Sequence, residues 1–364
     1  MKKKLSKTSI NGFINYGIVT AAFLILQLMI AQGMLSNTLK SLLVPVCCYI
    51  VMAISLNLTV GILGELSLGH AGFMSLGAFS GIVTAMALPE AAPGLRLVAA
   101  VLVGSIAGAL GGVLVGVPVL RLQGDYLAIV TLAFGEIIRN IIVVLYVGLD
   151  EKGLHITTNS AGPTLGEGGV MVIKGPMGAV GVPKLASFTA GFLLVLITLF
   201  VVQNLVASRA GRAIMALRDN RIAAESVGIH VTKYKLMAFV ISAALAGAAG
   251  ALFGLNYSST VSSKFGFNTS ILILVFVVLG GLGSIRGSII SAALLYILPE
   301  MLRGFEIITK ARMLIYAIIL IAVMLTINNP ALKNLLGERD LSLSGLLGRL
   351  KSGGKIKEKG GAGQ

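Results

Sequence analysis

The sequence predicts an all-α polytopic membrane protein of about ten transmembrane helices, and three observations carry that expectation. Hydrophobic residues make up 56% of the 364 and charged residues 12%, with a mean hydropathy of +0.95, well outside the range of soluble domains. Apolar runs of about 20 residues, each long enough to cross a bilayer, recur along the chain. The basic residues behind the net charge of +15 fall in the short segments between those runs. Membrane topology accounts for them, and nucleic acid is not implied.

Taken in order, the runs place spans near 14–35, 39–60, 66–88, 96–119, 125–148, 186–207, 236–257, 268–284, 287–303 and 311–328. Residues 1–13 form a short N-terminal segment beginning Met1-Lys2-Lys3-Lys4, which resembles a secretory signal. The apolar stretch behind it is too long for a signal core and lacks a small-residue cleavage site, so it reads as a retained first span. With the N-terminus cytoplasmic and Lys40, Arg96, Arg303 and Arg312 at the span ends counted as outer, 19 of the 29 Lys and Arg lie on the inner side and 9 on the outer, and Arg139 is the one left within a span. That asymmetry supports the count and the orientation, and an even count returns the C-terminus to the cytoplasm. The domain 14–328 is therefore a single helical bundle. The tail 329–364 has a disordered, basic composition. Cys47 and Cys48 are adjacent within an apolar run and read as packing residues; no metal-ligand spacing surrounds them.

Within the bundle, Gly104, Gly108, Gly112 and Gly116 recur every four residues along the fourth span, and Ala243, Gly247, Gly250 and Gly254 make a similar face on the seventh. Small residues at that spacing predict faces where helix backbones approach closely. The segment 149–185, rich in Gly and Pro, is the largest outer loop. It reads as short paired strands or a lid, a landing place for an external protein or a spacer.

The segment 208–235 is the one long polar interruption with a helical pattern. It holds Arg209, Arg212, Arg218, Arg221, Lys233 and Lys235 against Asp219 and Glu225. Ile214 and Leu217 recur at helical spacing, followed by Ile222, Ala223 and Val227. Asn220 is placed to cap a second short helix and Gly228 to end it. Two short amphipathic helices at the membrane face would make a docking surface for a soluble partner; the plainer alternative is a loop whose arginines meet lipid phosphates.

Two glycine-rich strings interrupt apolar runs, one in each half: Gly61 to Phe73, with Gly64, Glu65, Ser67, Gly69 and His70, and Gly280 to Ser288, with Gly281, Gly283 and Ser284. Each reads either as a tight turn or as a broken helix aimed at a translocation path, and together they suggest an inverted repeat. In the fifth span Glu136 and Arg139 stand at i, i+3, where pairing lowers the cost of burying charge. That pair reads as a lock between helices or as a polar patch on the path. No G-x-x-x-x-G-K-[ST] spacing occurs, so the chain carries no P-loop.

Ala223-Ala224-Glu225-Ser226-Val227-Gly228 resembles the E-A-A…G loop of ABC importer permeases, although here the acid follows the two alanines. The longer string from Arg218-Asp219-Asn220 to Leu236 resembles the LivM-type permeases of branched-chain amino-acid importers. The strings at 61–73, 121–139 and 280–288 resemble motifs of the same family, with Glu65 standing where glutamine is usual. The resemblance implies a non-enzymatic permease of the bacterial inner membrane, forming half of a translocation pathway for Leu, Ile or Val. It implies a homologous second permease, two cytoplasmic ATPases that use ATP and magnesium, and an extracytoplasmic substrate-binding protein. No cofactor or metal would be bound by this chain. It further implies that Arg212, Arg218, Asp219, Asn220, Ala223, Ala224, Glu225 and Gly228 lie in the loop that couples to an ATPase. Two other readings stay open. One is the same machine carrying urea, short amides or other amino acids; the other is a stand-alone ion-coupled carrier, for which Glu65 and Glu136 are the candidate acids. An enzyme is disfavoured, because His70, His155 and His230 lie in separate segments with no nucleophile arrangement.

Overall fold

The computed structural model describes residues 7–119, 125–151, 153–159, 162–163, 165–166 and 168–301, with 317, 318 and 321. The predicted tenth span, apart from those three residues, and the basic tail 329–364 lie outside the described residues, as do residues 1–6. Eleven α-helices order the described chain: α1 (Lys7–Ala31), α2 (Asn37–Asn57), α3 (His70–Ala87), α4 (Pro93–Val119), α5 (Asp125–Val144), α6 (Phe188–Ala207), α7 (Arg209–Asp219), α8 (Arg221–Ser226), α9 (Val231–Gly254), α10 (Phe267–Gly280) and α11 (Ile285–Met301). A π-helical turn, Leu58–Ile62, extends α2.

Seven stretches are long and apolar enough to cross a membrane: Leu39–Ile62, His70–Ala87, Pro93–Val119, Tyr126–Val144, Phe188–Ala207, Val231–Gly254 and Ser262–Gly280. The expected ten become seven among the described residues for identifiable reasons. Side chains are described only from Asn15 in α1, which leaves Asn15–Ala31, and description ends with Met301 in α11, so the first, ninth and tenth runs are not described over their full length.

The third span also begins later than its apolar run. Residues 63–69 are irregular, and α3 starts only at His70. The fifth ends earlier, at Val144, because the chain turns into a strand at Tyr146. The seventh begins earlier, at Val231, so Lys233 and Lys235 belong to α9 and not to the polar segment.

The core forms where α3, α4 and α9 meet through glycine. A methyl group at Gly247 on α9 would collide with the Gly104 carbonyl on α4 and lie 3.0 Å from Gly108 Cα. One at Gly250 would strike the Met74 carbonyl on α3. The two small-residue faces thus pack on each other and on α3, so backbones approach and many weak contacts accumulate without a hydrophobic driving force. The opposite face of α4, with Leu102, Ile106, Leu110 and Leu114, is exposed, which suits lipid.

At one end of the bundle the outer-loop region pairs as short strands, one of its two expected forms, in a five-stranded antiparallel sheet that adds β structure to the all-α class. Its order is β2 (Gly153–Thr157), β1 (Tyr146–Asp150), β3 (Val170–Lys174), β4 (Ala179–Val180), β5 (Ser259–Thr260). Four of its strands come from the outer-loop region and the fifth from behind α9. At the opposite end lie α7 and α8. Arg286, at the start of α11, donates to Asn15 Oδ1 at 2.6 Å, while Phe23, further along α1, stacks on Phe192 near the start of α6. The first part of α1 therefore shares the α7–α8 side.

Candidate functional site

The site is built from the α7–α8 side inward. Ser208 Oγ accepts from the Gly211 amide at 3.1 Å and caps α7. Asn220 Oδ1 accepts from the Ala223 amide at 3.0 Å and caps α8. Gly228 adopts φ +86 just after α8, and its amide donates to the Glu225 carbonyl at 3.0 Å. A residue in the left-handed region lets the chain turn straight into α9. Leu217, Ala224 and Val231 form a small buried cluster beneath, which fixes α8 to α9. Ile222 (81% exposed) and Val227 (76% exposed) point away from it. Two large apolar side chains are thereby offered outward on a short helix flanked by exposed Arg212, Asp219, Ala223 and Glu225.

Arg218 behaves differently. Its Nη1 donates to the Gly61 carbonyl at 3.1 Å, while Nε and Nη2 hold Asp219 Oδ1 at 3.1 and 3.0 Å. Its Cγ lies against Gly64, where an added β-carbon would sit 2.6 Å away. Gly61 in turn presses on Gly283, closely enough that a methyl at Gly61 would overlap the Gly283 amide. Asn57 locks this crossing, since its Oδ1 accepts from Gly283 N at 2.8 Å and its Nδ2 donates to Ser288 Oγ at 3.0 Å. The two glycine strings, far apart in sequence, therefore touch.

They are not alike. Gly281, Gly283 and Ser284 form a four-residue turn between α10 and α11, with Gly281 and Gly283 at φ +89 and +81. Residues 63–69 instead run back beside α2. His70 Nε2 reaches Ser55 Oγ at 2.8 Å, seven residues before the end of the π turn, a return of about 10 Å at helical rise. The later part of that irregular backbone is held by protein, whereas Gly64 and Leu66 are exposed. The Leu68 amide donates to Thr131 Oγ1 at 3.1 Å, the Ala71 amide donates to Ser270 Oγ at 3.2 Å, and Gly69 lies on the Thr131 carbonyl. Ser67, Gly69 and His70 are buried, as a non-helical segment at membrane depth requires.

Glu65 at the head of this segment pairs with Lys235 of α9, and both side chains are largely buried. Lys235 read as one of the basic loop residues, yet it serves as the counter-charge to Glu65. Lys235→Ala is expected to lower stability by about 3 kcal/mol by stranding the carboxylate, whereas Glu65→Leu combined with Lys235→Met recovers most of it. Thermal midpoints of the purified chain in mild detergent measure this.

Glu136 and Arg139 pair at 2.7 Å, and Glu136 Oε1 also accepts from the Phe267 amide at 3.0 Å, the first residue of α10. The pair thus ties α5 to the start of α10, where a carboxylate also suits the helix dipole. Asn57, Ser55, Thr131 and Ser270 were not singled out from sequence. A lone amide in an apolar run, as Asn57 is, was the available signal.

Comparison with known proteins identifies the family. Residues 38–324 match the family described as branched-chain amino acid transport system / permease component. Over 270 residues the chain is 38% identical to the high-affinity branched-chain amino acid transport system permease protein LivM of Salmonella typhimurium, covering 71% of this chain and 62% of that protein. LivM of Escherichia coli is 37% identical over the same length and coverage. LivH of Escherichia coli, described as a permease of the same system, is 28% identical over 284 residues, 76% of this chain and 88% of its own. The chain thus spans less than two thirds of the length of the LivM relatives it matches. No solved structure matches significantly. The chain, a mostly helical multi-pass membrane protein, belongs to the permease-component family of branched-chain amino acid transport systems.

Proposed function

We propose that this chain is one of two permeases in an ATP-driven importer of branched-chain amino acids. It would sit in the cell (inner) membrane with both termini cytoplasmic, and its ten spans would include a tenth beyond the described helices. A homologous second permease completes the pathway. Two cytoplasmic ATPases use ATP and magnesium, and an extracytoplasmic binding protein delivers the substrate. The permease makes and breaks no covalent bond. The observation that carries the proposal is the 208–230 segment: two separately capped helices that turn Ile222 and Val227 outward while Arg218 reaches inward to the glycine crossing. An ordinary lipid-facing loop has no need of a connection to the interior. A stand-alone carrier would need intramembrane acids for coupling; the two candidates, Glu65 and Glu136, are each ion-paired and each hold a neighbouring helix or helix start, which gives them a structural task. The sheet on the opposite face offers the place where the binding protein lands. Urea, short amides or other amino acids remain the alternative cargo for the same machine.

Purification of the chain from its native membrane in mild detergent tests the assembly. Co-purification of two ATPases and a second permease is expected. Recovery of the chain by itself, transporting without ATP after reconstitution, would overturn the proposal.

A further inference from the structure

We infer that Arg218 is the positioning residue through which the coupling segment acts on the pathway, holding the Gly61 turn against Gly283 from the α7–α8 side. The inference rests on the importer reading above and assigns Arg218 an inward task in place of contact with an ATPase. Three parts of the bundle meet at its guanidinium: the last turn of α7, the π turn that ends α2, and the turn between α10 and α11. Nη1 donates to the Gly61 carbonyl at 3.1 Å and lies 3.9 Å from the place a β-carbon on Gly283 would occupy. Nε and Nη2 grip Asp219 Oδ1, so the carboxylate orients the fork while the remaining edge reaches the carbonyl. A lysine offers a single point of charge and cannot hold both partners in fixed directions.

The neighbouring residues make this contact consequential. Asn220, directly after Asp219, is the hinge between α7 and α8, with extended backbone and a side chain that caps α8. A displacement of α8 by a docked partner therefore reaches Arg218 through two residues. On the other side, Asn57 ties Gly283 and Ser288 to the same turn. Movement of the Gly61 carbonyl is thus passed to the α10–α11 turn and, through residues 63–69, to the start of α3 beside Ser55 and His70.

Arg218 is not needed to hold the bundle together. Its side chain is 41% exposed and Asp219 is 68% exposed, so their ion pair adds little stability, while α3, α4 and α9 are joined elsewhere by glycine contacts.

The test uses the assembled importer in proteoliposomes, with Leu282→Cys as a reporter on the exposed α10–α11 turn and the native Cys47 and Cys48 buried. The reporter variant is first required to import leucine. Its labelling by a membrane-impermeant maleimide is then compared without nucleotide and after trapping with ATP and orthovanadate. With Arg218 present, the labelling rate is expected to differ at least about fivefold between the two states. Arg218→Ala is expected to abolish that difference and to lower leucine imported per ATP hydrolysed about tenfold, with Arg218→Lys close to the alanine variant. Equal amounts of assembled complex in every sample separate this outcome from misfolding. Retention by both variants of the nucleotide-dependent labelling and of the import-to-hydrolysis ratio would overturn the inference and leave the importer reading standing. Failure of the parent chain to assemble with any ATPase would overturn both.

Discussion

Gly247→Val is expected to abolish the folded bundle, because the substitution drives two γ-methyls into the backbone of α4. The Gly104 carbonyl and Gly108 Cα already fill the space of a single β-carbon, and neither can rotate away. Gly77 of α3 packs on the Gly247 carbonyl as well, so widening the α4–α9 gap also disturbs α3. Overpacking against yielding side chains costs about 1–3 kcal/mol, and against fixed backbone the upper end or more applies. Gly94→Ala is the comparison. Gly94 lies in the first turn of α4 with nothing within 4 Å, so an alanine there meets no clash. Size-exclusion profiles after heating in mild detergent should show the Gly94 variant intact and the Gly247 variant lost.

Gly228→Val is expected to reduce ATP-dependent leucine import about tenfold or more while Gly228→Asn keeps most of it. The site has open space, since nothing lies within 4 Å, so the effect comes from φ +86 alone. A β-branched residue is strained there by about 1–2 kcal/mol, whereas asparagine visits that region readily. Relief of the strain requires the turn to unwind, which disconnects α8 from α9 and shifts Ile222 and Val227. Import rates of the assembled complex check it, and normal import by the valine variant would remove the coupling role from this segment.

Local signals were legible in the sequence where one short stretch contains both halves of an interaction. Asn220 capping α8, Gly228 closing it, and the Glu136–Arg139 pair are of this kind. The small-residue faces of α4 and α9 were legible as contact faces, and the structure supplies what spacing cannot, which is that they face each other. Glu65 and Lys235 are 170 residues apart, and a lysine at the end of a polar segment looks like any other topology-setting charge. The break at 63–69 was legible as a glycine-rich interruption carrying Glu65 and Ser67; its return beside α2 was not, because composition marks a break and not the direction the chain takes through it. Short paired strands were one of the readings of the outer loop, but their bounds escaped because they have two to five residues, and the last member, Ser259–Thr260, comes from behind α9. No period can be read from so few residues.

The most direct test of the central claim is uptake of radiolabelled leucine by proteoliposomes holding the purified complex and its binding protein, with ATP enclosed or left out. Accumulation that requires ATP, and that falls to background when this chain is omitted, is the expected result. Uptake that proceeds equally without ATP, or without this chain, would contradict the assignment of the chain as a working half of an ATP-driven importer.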